Sequence, residues 1–541
     1  MERAGLLEKK GFLVGKMGNG SMIYSGIYDS HILTIASAGS GKGVGVVIPN
    51  LLKYEGSVVV LDPKGENFFV TAEHRSNVLS NKIFYFDPWG VVEICAKVHR
   101  KGIYPGAVKA TINPLDLVDA QCTGVEEIAH QIAQNIVMSD VSGDNKIFYT
   151  GAQSLLKQLI VFVCCAYAPG SDKRNLIEVR RLLTIPMPKL FNEILRYQNN
   201  NPNIHNSIYE LLNWIQSNYS KTSGTSSKHA QSVYNIAITA SEFISTSDIQ
   251  KAIKETNIEI TKIKEQLMTL YLILDTDKLI FSSSLYQPFF QIIVWFCMKG
   301  VGVKAIVPKE KILFLLDEIA QLGTLSYMEN LLSLYRGYHV VVWTIWQSLA
   351  QIKALYGEER ASSILNNCNI QQFFGINSLE DAKYVSELFG KTTIWLESFT
   401  KGQTESETIG DTTTTGTSFG KSDSVSDGDN QSYSYQGLNL TYTSGSSATN
   451  SKSSSYTDSY NFSRSIQHGV SKTENRQISK KEVDLIASAD VIKGAIMEVV
   501  FLSFTKQGGC PYPILSGKIK YWDDLEFYDE YGDNLTRIKR K

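Results

Sequence analysis

The chain has 541 residues, 43% hydrophobic and 20% charged, the composition of a globular protein with more than one domain. Its 53 basic and 54 acidic side chains leave a net charge of −1, which excludes the overall basic excess of a histone-like nucleic-acid binder. Seven scattered cysteines with no CxxC pair speak against a zinc ribbon or a disulfide scaffold and for a reducing compartment.

The longest apolar runs, Leu159–Ala168 and Phe289–Met298, are about half the roughly 20 residues that a membrane-spanning helix needs. The opening MERAGLLEKKGFLVGK carries charges but no apolar stretch of the signal-peptide kind. The expectation is a soluble chain facing the cytoplasm.

In chain order, HILTIA (31–36) reads as a short strand, SAGSGKG as a loop, and VGVVIPNLLKY as a helix. SVVVLD (57–62) and KIFYFDPWG (82–90) read as further strands. Continuous apolar strands alternating with helices predict an α/β fold with a mostly parallel sheet covered on both faces. Residues 1–117 are expected to form the first part of this α/β domain. Residues 118–262, with GVEEIAHQIAQNIV, TGAQSLLKQLIVFVCCAY and NSIYELLNWIQSNY, predict an inserted all-α domain. Strands resume in 263–400 at LMTLYLIL, KILFLLDE, YHVVVWTIWQS and IQQFFGIN. Ser and Thr supply 30 of the 75 residues in 401–475, a low-complexity segment with little apolar surface to offset ordering, so a mobile insertion is expected. The alternation QSYSYQGLNLTYTS leaves room for a hairpin there. Residues 476–541 return to the domain with the strand AIMEVVFLSF and end in an aromatic, acidic tail.

The stretch ASAGSGKG, Ala36–Gly43, departs from the G-x-x-x-x-G-K-[ST] phosphate loop at both ends: Ala36 replaces the first glycine and Gly43 the hydroxyl residue. The physical requirements survive. Gly39, Gly41 and Gly43 let backbone N–H groups turn inward around phosphate oxygens, and a helix N-terminus points at the same anion. Ser37, Ala38, Gly39, Ser40, Gly41, Lys42, Gly43 and Val44 are the candidate nucleotide-binding residues, with Lys42 reaching the outer phosphates. The lost hydroxyl leaves Mg²⁺ to Asp317 and water.

LLDE delivers Asp317 and Glu318 to the carboxyl end of a strand, where open α/β sheets bind ligands. Asp317 is the candidate metal residue and Glu318 the candidate base for an attacking water; a plain helix-capping acidic pair is the alternative. Gln347 ends the strand VVVWTIW and is placed to sense a γ-phosphate or, more simply, to bind a loop backbone. Arg336 either pairs locally with Glu329 or reaches a neighbouring subunit's phosphates as an arginine finger. In LDPKGEN, Asp62, Lys64 and Glu66 are explained by local salt bridging as well as by catalysis.

Taken together, SGKGVGVVIPNLL, SVVVLDPKGEN, LLDEIAQLGTL, TIWQSLAQIKALYGEERASSILNNC and DAKYVSELFGKTTI resemble the coupling-protein ATPases of type IV secretion and conjugation, the TraG/TraD type. That family tolerates Gly where other phosphate loops carry Ser or Thr. The resemblance implies a RecA-like P-loop core with an inserted all-α domain that selects cargo, assembled as a homo-hexamer at the cytoplasmic face of the bacterial inner membrane. It implies ATP and Mg²⁺ as cofactors, with Lys42 on the phosphates, Asp317 and Glu318 as the Walker B pair, Gln347 as sensor and Arg336 as the trans-acting finger. The implied partners are secretion-channel proteins and either a relaxase–DNA complex or protein effectors, with single- or double-stranded DNA possible. Family members usually carry transmembrane helices ahead of the motor, whereas AGLL begins at residue 4, so the resemblance implies a shortened chain or one tethered by a partner. A DNA translocase of the FtsK/HerA kind, or an ATP-gated recruitment scaffold with little hydrolysis, are the other readings.

Overall fold

The computed structural model describes residues 6–521 apart from 8–10, 26–29, 119–124, 138–144, 202, 221–224, 279–284, 288–289, 291–292, 295–306, 326, 413–422, 437–438, 453–462, 497–498 and 505–513; for 392–483 it describes the backbone alone. The chain divides into two compact units, Met1–Ser378 with Gly494–Lys541, and Leu379–Lys493.

The first unit is built on a twelve-stranded sheet. Its strands are β1 (Leu13–Lys16), β2 (Met22–Tyr24), β3 (Ile32–Ala36), β4 (Val58–Pro63), β5 (Lys82–Phe86), β6 (Ala107–Lys109), β7 (Met268–Leu274), β8 (Ile312–Leu316), β9 (Val340–Trp346), β10 (Ile370–Phe374), β11 (Val499–Phe504) and β12 (Ile514–Gly517). They lie in the order β2-β1-β12-β11-β10-β3-β9-β8-β4-β7-β5-β6. From β10 to β6 every pairing is parallel. The remaining strands, β11, β12, β1 and β2, add on antiparallel. The central strands β3, β4, β7, β8, β9 and β10 are buried along their whole lengths, as sheets covered on both faces require.

Register at the centre is fixed by polar groups that an all-apolar sheet would lack. The Thr34 hydroxyl donates to Gln372 Oε1 at 2.8 Å and accepts from Trp343 Nε1 at 2.8 Å. Gln372 Nε2 donates in turn to the Val14 carbonyl at 2.7 Å. A one-residue slip of β3 would break both Thr34 bonds and leave polar atoms buried without partners.

Between β6 and β7 lie the helices Val125–Ile136, Lys146–Ala166, Leu176–Thr184, Met187–Asn200, Asn206–Asn218, Lys228–Ala240 and Ser247–Ile253. By length and composition Lys146–Ala166 is long and apolar enough to cross a membrane, a test that the buried core helix of a globular protein also passes. Gln153, Lys157 and Gln158 interrupt the run, yet 61% of the apolar window is buried, Leu155, Leu156, Leu159 and Ile160 among it, and the helix packs against the helices Val125–Ile136 and Lys228–Ala240. It has the burial of a core helix. Arg174 closes this region: 2% exposed, it donates to the carbonyls of Cys164 at 2.5 Å, Tyr167 at 3.1 Å and Val118.

In the second unit the helix Leu379–Phe389 leads into four antiparallel strands, Lys391–Thr412, Ser463–Asp484, Asn439–Lys452 and Asp423–Gln436, in that spatial order. The described residues of the Ser/Thr-rich stretch, which composition leads one to expect as a mobile insertion, lie on these paired strands, and those of the QSYSYQGLNLTYTS alternation fall on the pair that starts at Gln436↔Asn439. Thr and Tyr favour extended backbone, and ladder hydrogen bonds need no apolar side chain. Ser386 Oγ donates to the Ile486 carbonyl at 2.6 Å, tying the helix to the residues after the last strand.

Candidate functional site

The carboxyl ends of β3, β8, β9 and β4 bring the site together. After Ala36 the chain turns through Ser37–Lys42 into a wide helical turn, Gly43–Val47, that continues as the helix Ile48–Lys53. Gly39 and Gly41 have φ of +73° and +83°, the left-handed region that a β-carbon disfavours, and a β-carbon at Gly39 would meet nothing within 4 Å. The loop is pinned from below: Ser40 Oγ donates to the Ser37 carbonyl at 2.7 Å, and Ser37 Oγ donates to the carbonyl of Gly375, just past β10. Lys42, 8% exposed, sends its Nζ back over the loop to the carbonyls of Ala36 at 3.2 Å and Ser37 at 3.5 Å.

β8 pairs with β4 in parallel, Leu316 opposite Leu61, so Asp317 and Asp62 leave neighbouring strand ends side by side. Asp62 is fully buried, and its two oxygens accept from the N–H groups of Asn67 at 3.2 Å and Phe68 at 2.9 Å, at the start of the helix Glu66–Asn77. Burial outweighs these bonds and pushes its carboxyl up to about 8. Asp317 is only half-buried as a residue, but its Oδ1 is closed to solvent and finds no hydrogen-bond donor among the described residues. Burial first, then the neighbouring Glu318 charge, raise its carboxyl to about 7, while Lys42 and a hydrogen bond from Asn67 act the other way. Glu318 sits at φ +49°, a strained setting for a non-glycine residue, and its Oε2 accepts from Gln321 Nε2.

Gln347 follows Trp346, which pairs with Ile35, so Gln347 stands beside Ala36 at the root of the loop. Its N–H donates to Gln351 Oε1 at 2.9 Å, while Ser348 Oγ caps the next helix by accepting from Gln351 N at 3.3 Å. Lys42, Asp317, Glu318 and Gln347 therefore share one end of the sheet. Arg336 does not join them. It lies in the turn Tyr335–Tyr338 ahead of β9, at the amino end of the sheet, and its side chain is outside the described residues. The local partner considered for it is engaged elsewhere: Glu329 accepts from Arg360 Nε at 3.0 Å.

Two features escaped sequence reasoning. Asp62 closes a helix N-terminus and Asn67 hydrogen-bonds to Asp317, whereas LDPKGEN left local salt bridging and catalysis equally open; the signal was an Asp at a strand end followed by a short turn into a helix. Arg75, 0% exposed, donates to the carbonyls of Leu51, Tyr54 and Gly56 at 2.7, 2.9 and 2.8 Å, and to Thr269 Oγ1 at 2.6 Å, locking the helix Glu66–Asn77 to the sheet.

Chemically, a glycine-rich loop and a buried lysine stand near a carboxylate with an unsatisfied oxygen. Such a pair suits an anionic phosphate chain bridged to a divalent cation. Fold and site define a RecA-like P-loop protein. Residues 1–437 match the family described as "Type IV secretory system Conjugative DNA transfer", and the chain belongs to it. It is 26% identical over 383 residues to the conjugal transfer protein TraG of Escherichia coli, covering 68% of this chain and 56% of that protein. Protein VirD4 of Rhizobium radiobacter is 26% identical over 413 residues, 73% of this chain and 54% of the relative. The chain thus spans little more than half the length of these curated relatives. In fold it is similar to the plasmid coupling protein TrwB solved with ADP and Mg²⁺, at a TM-score of 0.55 and 10% identity over 97% of this chain and 94% of that one. TrwB solved with the ATP analogue ADPNP gives a TM-score of 0.53 at 11% identity over 96% and 92%.

Proposed function

We propose that this chain is the ATP-driven motor part of a coupling protein that recruits cargo to a type IV secretion or conjugation channel at the cytoplasmic face of the inner membrane. The observation that carries it is the sealed, unpartnered Oδ1 of Asp317 beside Lys42 and an open glycine loop, in a chain of the conjugative DNA-transfer family. The solved TrwB complexes with ADP, Mg²⁺ and ADPNP support ATP and Mg²⁺ as the ligands. Bound Mg²⁺·ATP supplies the phosphoanhydride and the charge neutralisation its cleavage needs. The amides of Ser37–Val44 and the Lys42 ammonium would hold the phosphates, and Asp317 would hold the metal. Glu318 orients and deprotonates the attacking water, and Gln347 registers the state of the γ-phosphate from the adjacent strand end. Arg336, at the other end of the sheet, serves a neighbouring subunit's site, which requires a ring; a homo-hexamer is the assembly proposed. The cargo is a relaxase–DNA complex or protein effectors, selected by the helical region between β6 and β7.

Gly43, in the place of a metal-binding hydroxyl, favours a second reading: a ring that binds ATP to assemble and recruit but turns it over slowly. Steady-state hydrolysis across a range of protein concentrations, with and without single- and double-stranded DNA, tests the proposal. Turnover that rises cooperatively with concentration and with DNA supports a motor with nucleic-acid cargo, and turnover indifferent to DNA points to protein effectors. ATP binding with no turnover at any concentration leaves the scaffold.

A further inference from the structure

The segment after the last strand of the sheet brings a second lysine onto the phosphate loop. β12 ends at Gly517, opposite Lys16 of β1, and the chain continues through Lys518, Ile519, Lys520 and Tyr521. Ile519 and Tyr521 are 1% and 0% exposed and pack with Leu13, Ile48 and Leu52. Lys518 is therefore fixed on both sides. Its Nζ donates to the carbonyl of Ser40, 478 residues earlier, and lies 5.8 Å from the centre of the Phe374 ring. A β-carbon at Gly41 would come within 2.6 Å of that Nζ, and one at Gly45 within 3.0 Å of the Ile519 carbonyl and 3.3 Å of Lys518 Cγ. The glycines at 41 and 45 thus make room for the chain's own C-terminal segment, a demand separate from that of a ligand.

A trans peptide unit carries its C=O and N–H on opposite sides. In a loop whose N–H groups converge on an anion, the carbonyls face outward and need donors of their own. The carbonyl that Lys518 takes belongs to the Ser40–Gly41 peptide, so the same unit presents the Gly41 N–H on the other side. An ammonium on that carbonyl fixes the peptide plane, polarises the N–H and adds positive charge beside the cradle. We propose that Lys518 is a positioning residue of the nucleotide site, clamping the Ser40–Gly41 peptide from outside so that the loop is preorganised for the phosphates of ATP. This rests on the nucleotide-binding reading above.

The test uses the full chain as wild type, Lys518→Met, Lys518→Arg and Lys42→Ala, titrated with a fluorescent ATP analogue and Mg²⁺, with thermal melting recorded without nucleotide. Loss of a charge-assisted hydrogen bond predicts about tenfold or greater weakening in Lys518→Met, substantial recovery in Lys518→Arg and an intact cooperative melt. A purely structural lysine would shift the melt and leave affinity per folded molecule unchanged. If Lys518→Met binds like wild type while Lys42→Ala does not, the proposal is overturned and the nucleotide site stands. If wild type itself does not bind, both fall. Should Lys518→Met lose its cooperative melt, Lys518→Ala removes the donor with a smaller side chain, and wild-type affinity in that folded variant overturns the proposal.

Discussion

Asp62 and Asp317, side by side at the ends of β4 and β8, are both held by the first turn of the helix Glu66–Asn77: Asp62 by the amides of Asn67 and Phe68, Asp317 by the Asn67 side chain. One helix terminus therefore reaches both carboxyl groups: Asp62 is closed off by its amides, whereas Asp317 keeps one oxygen without a donor among the described residues. The proposed division of tasks between them can be probed.

Burial lifts Asp62 from 3.8 to about 8, so the folded chain binds this proton more tightly than the unfolded one. The sign follows: the stabilisation is complete below the unfolded value near 4 and is lost as pH rises through about 8. In nucleotide-free protein, Asp62→Asn is expected to flatten the fall of Tm between about pH 5 and pH 8, even though it loses one of the two amide bonds. Melting curves across that range check it; an unchanged slope would mean that Asp62 is ionised in the fold.

Glu318 is expected to matter for turnover and not for binding. Glu318→Gln keeps the size and removes the base, so hydrolysis should fall about 100-fold or more while ATP affinity stays near wild type. Parallel binding and turnover measurements separate the two. Equal loss of both would assign Glu318 to binding or to local structure.

Arg75 is buried with no carboxylate partner among the described residues, its charge divided among carbonyls and a hydroxyl, and burial lowers it only to about 10, so it stays protonated at neutral pH. Arg75→Met leaves those buried acceptors unsatisfied and is expected to cost about 3 kcal/mol or more of folding stability. Denaturant unfolding reads this directly, and a loss under about 1 kcal/mol would mean that water replaces the guanidinium.

Gly45→Val introduces a side chain where the Ile519 carbonyl already stands 3.0 Å from a β-carbon position. The expected result is destabilisation of about 1–3 kcal/mol, with the Tyr521 environment altered in near-ultraviolet circular dichroism. An unaltered Tyr521 signal would show that the C-terminal segment does not press on this helix.

What the sequence made legible was local. HILTIA, SVVVLD, LLDE and VVVWTIW read as buried strands because each is a contiguous apolar run, and the parallel sheet places Lys42, Asp317, Glu318 and Gln347 at one end of it by chain direction alone. What it hid is long-range or depends on which face a residue takes. Lys518 meets Ser40 only because β12 adds antiparallel beside β1, a pairing no nearby residue announces. Asn67 is one polar residue in a charged turn until the register of β4 against β8 brings it to Asp317. In the Ser/Thr-rich stretch composition reports apolar surface and not backbone pairing, and only the QSYSYQGLNLTYTS alternation hinted at a hairpin.

The central claim is that the Ala36–Gly43 loop binds ATP through Lys42. The most direct measurement is equilibrium binding of ATP with Mg²⁺ to wild type and to Lys42→Ala, both verified as folded by their melting transitions. Saturable binding by wild type is expected, with a loss of about 100-fold or more in affinity in the variant, the scale of a buried ammonium on phosphate. Equal affinity in the two proteins, or no binding by folded wild type, would contradict it.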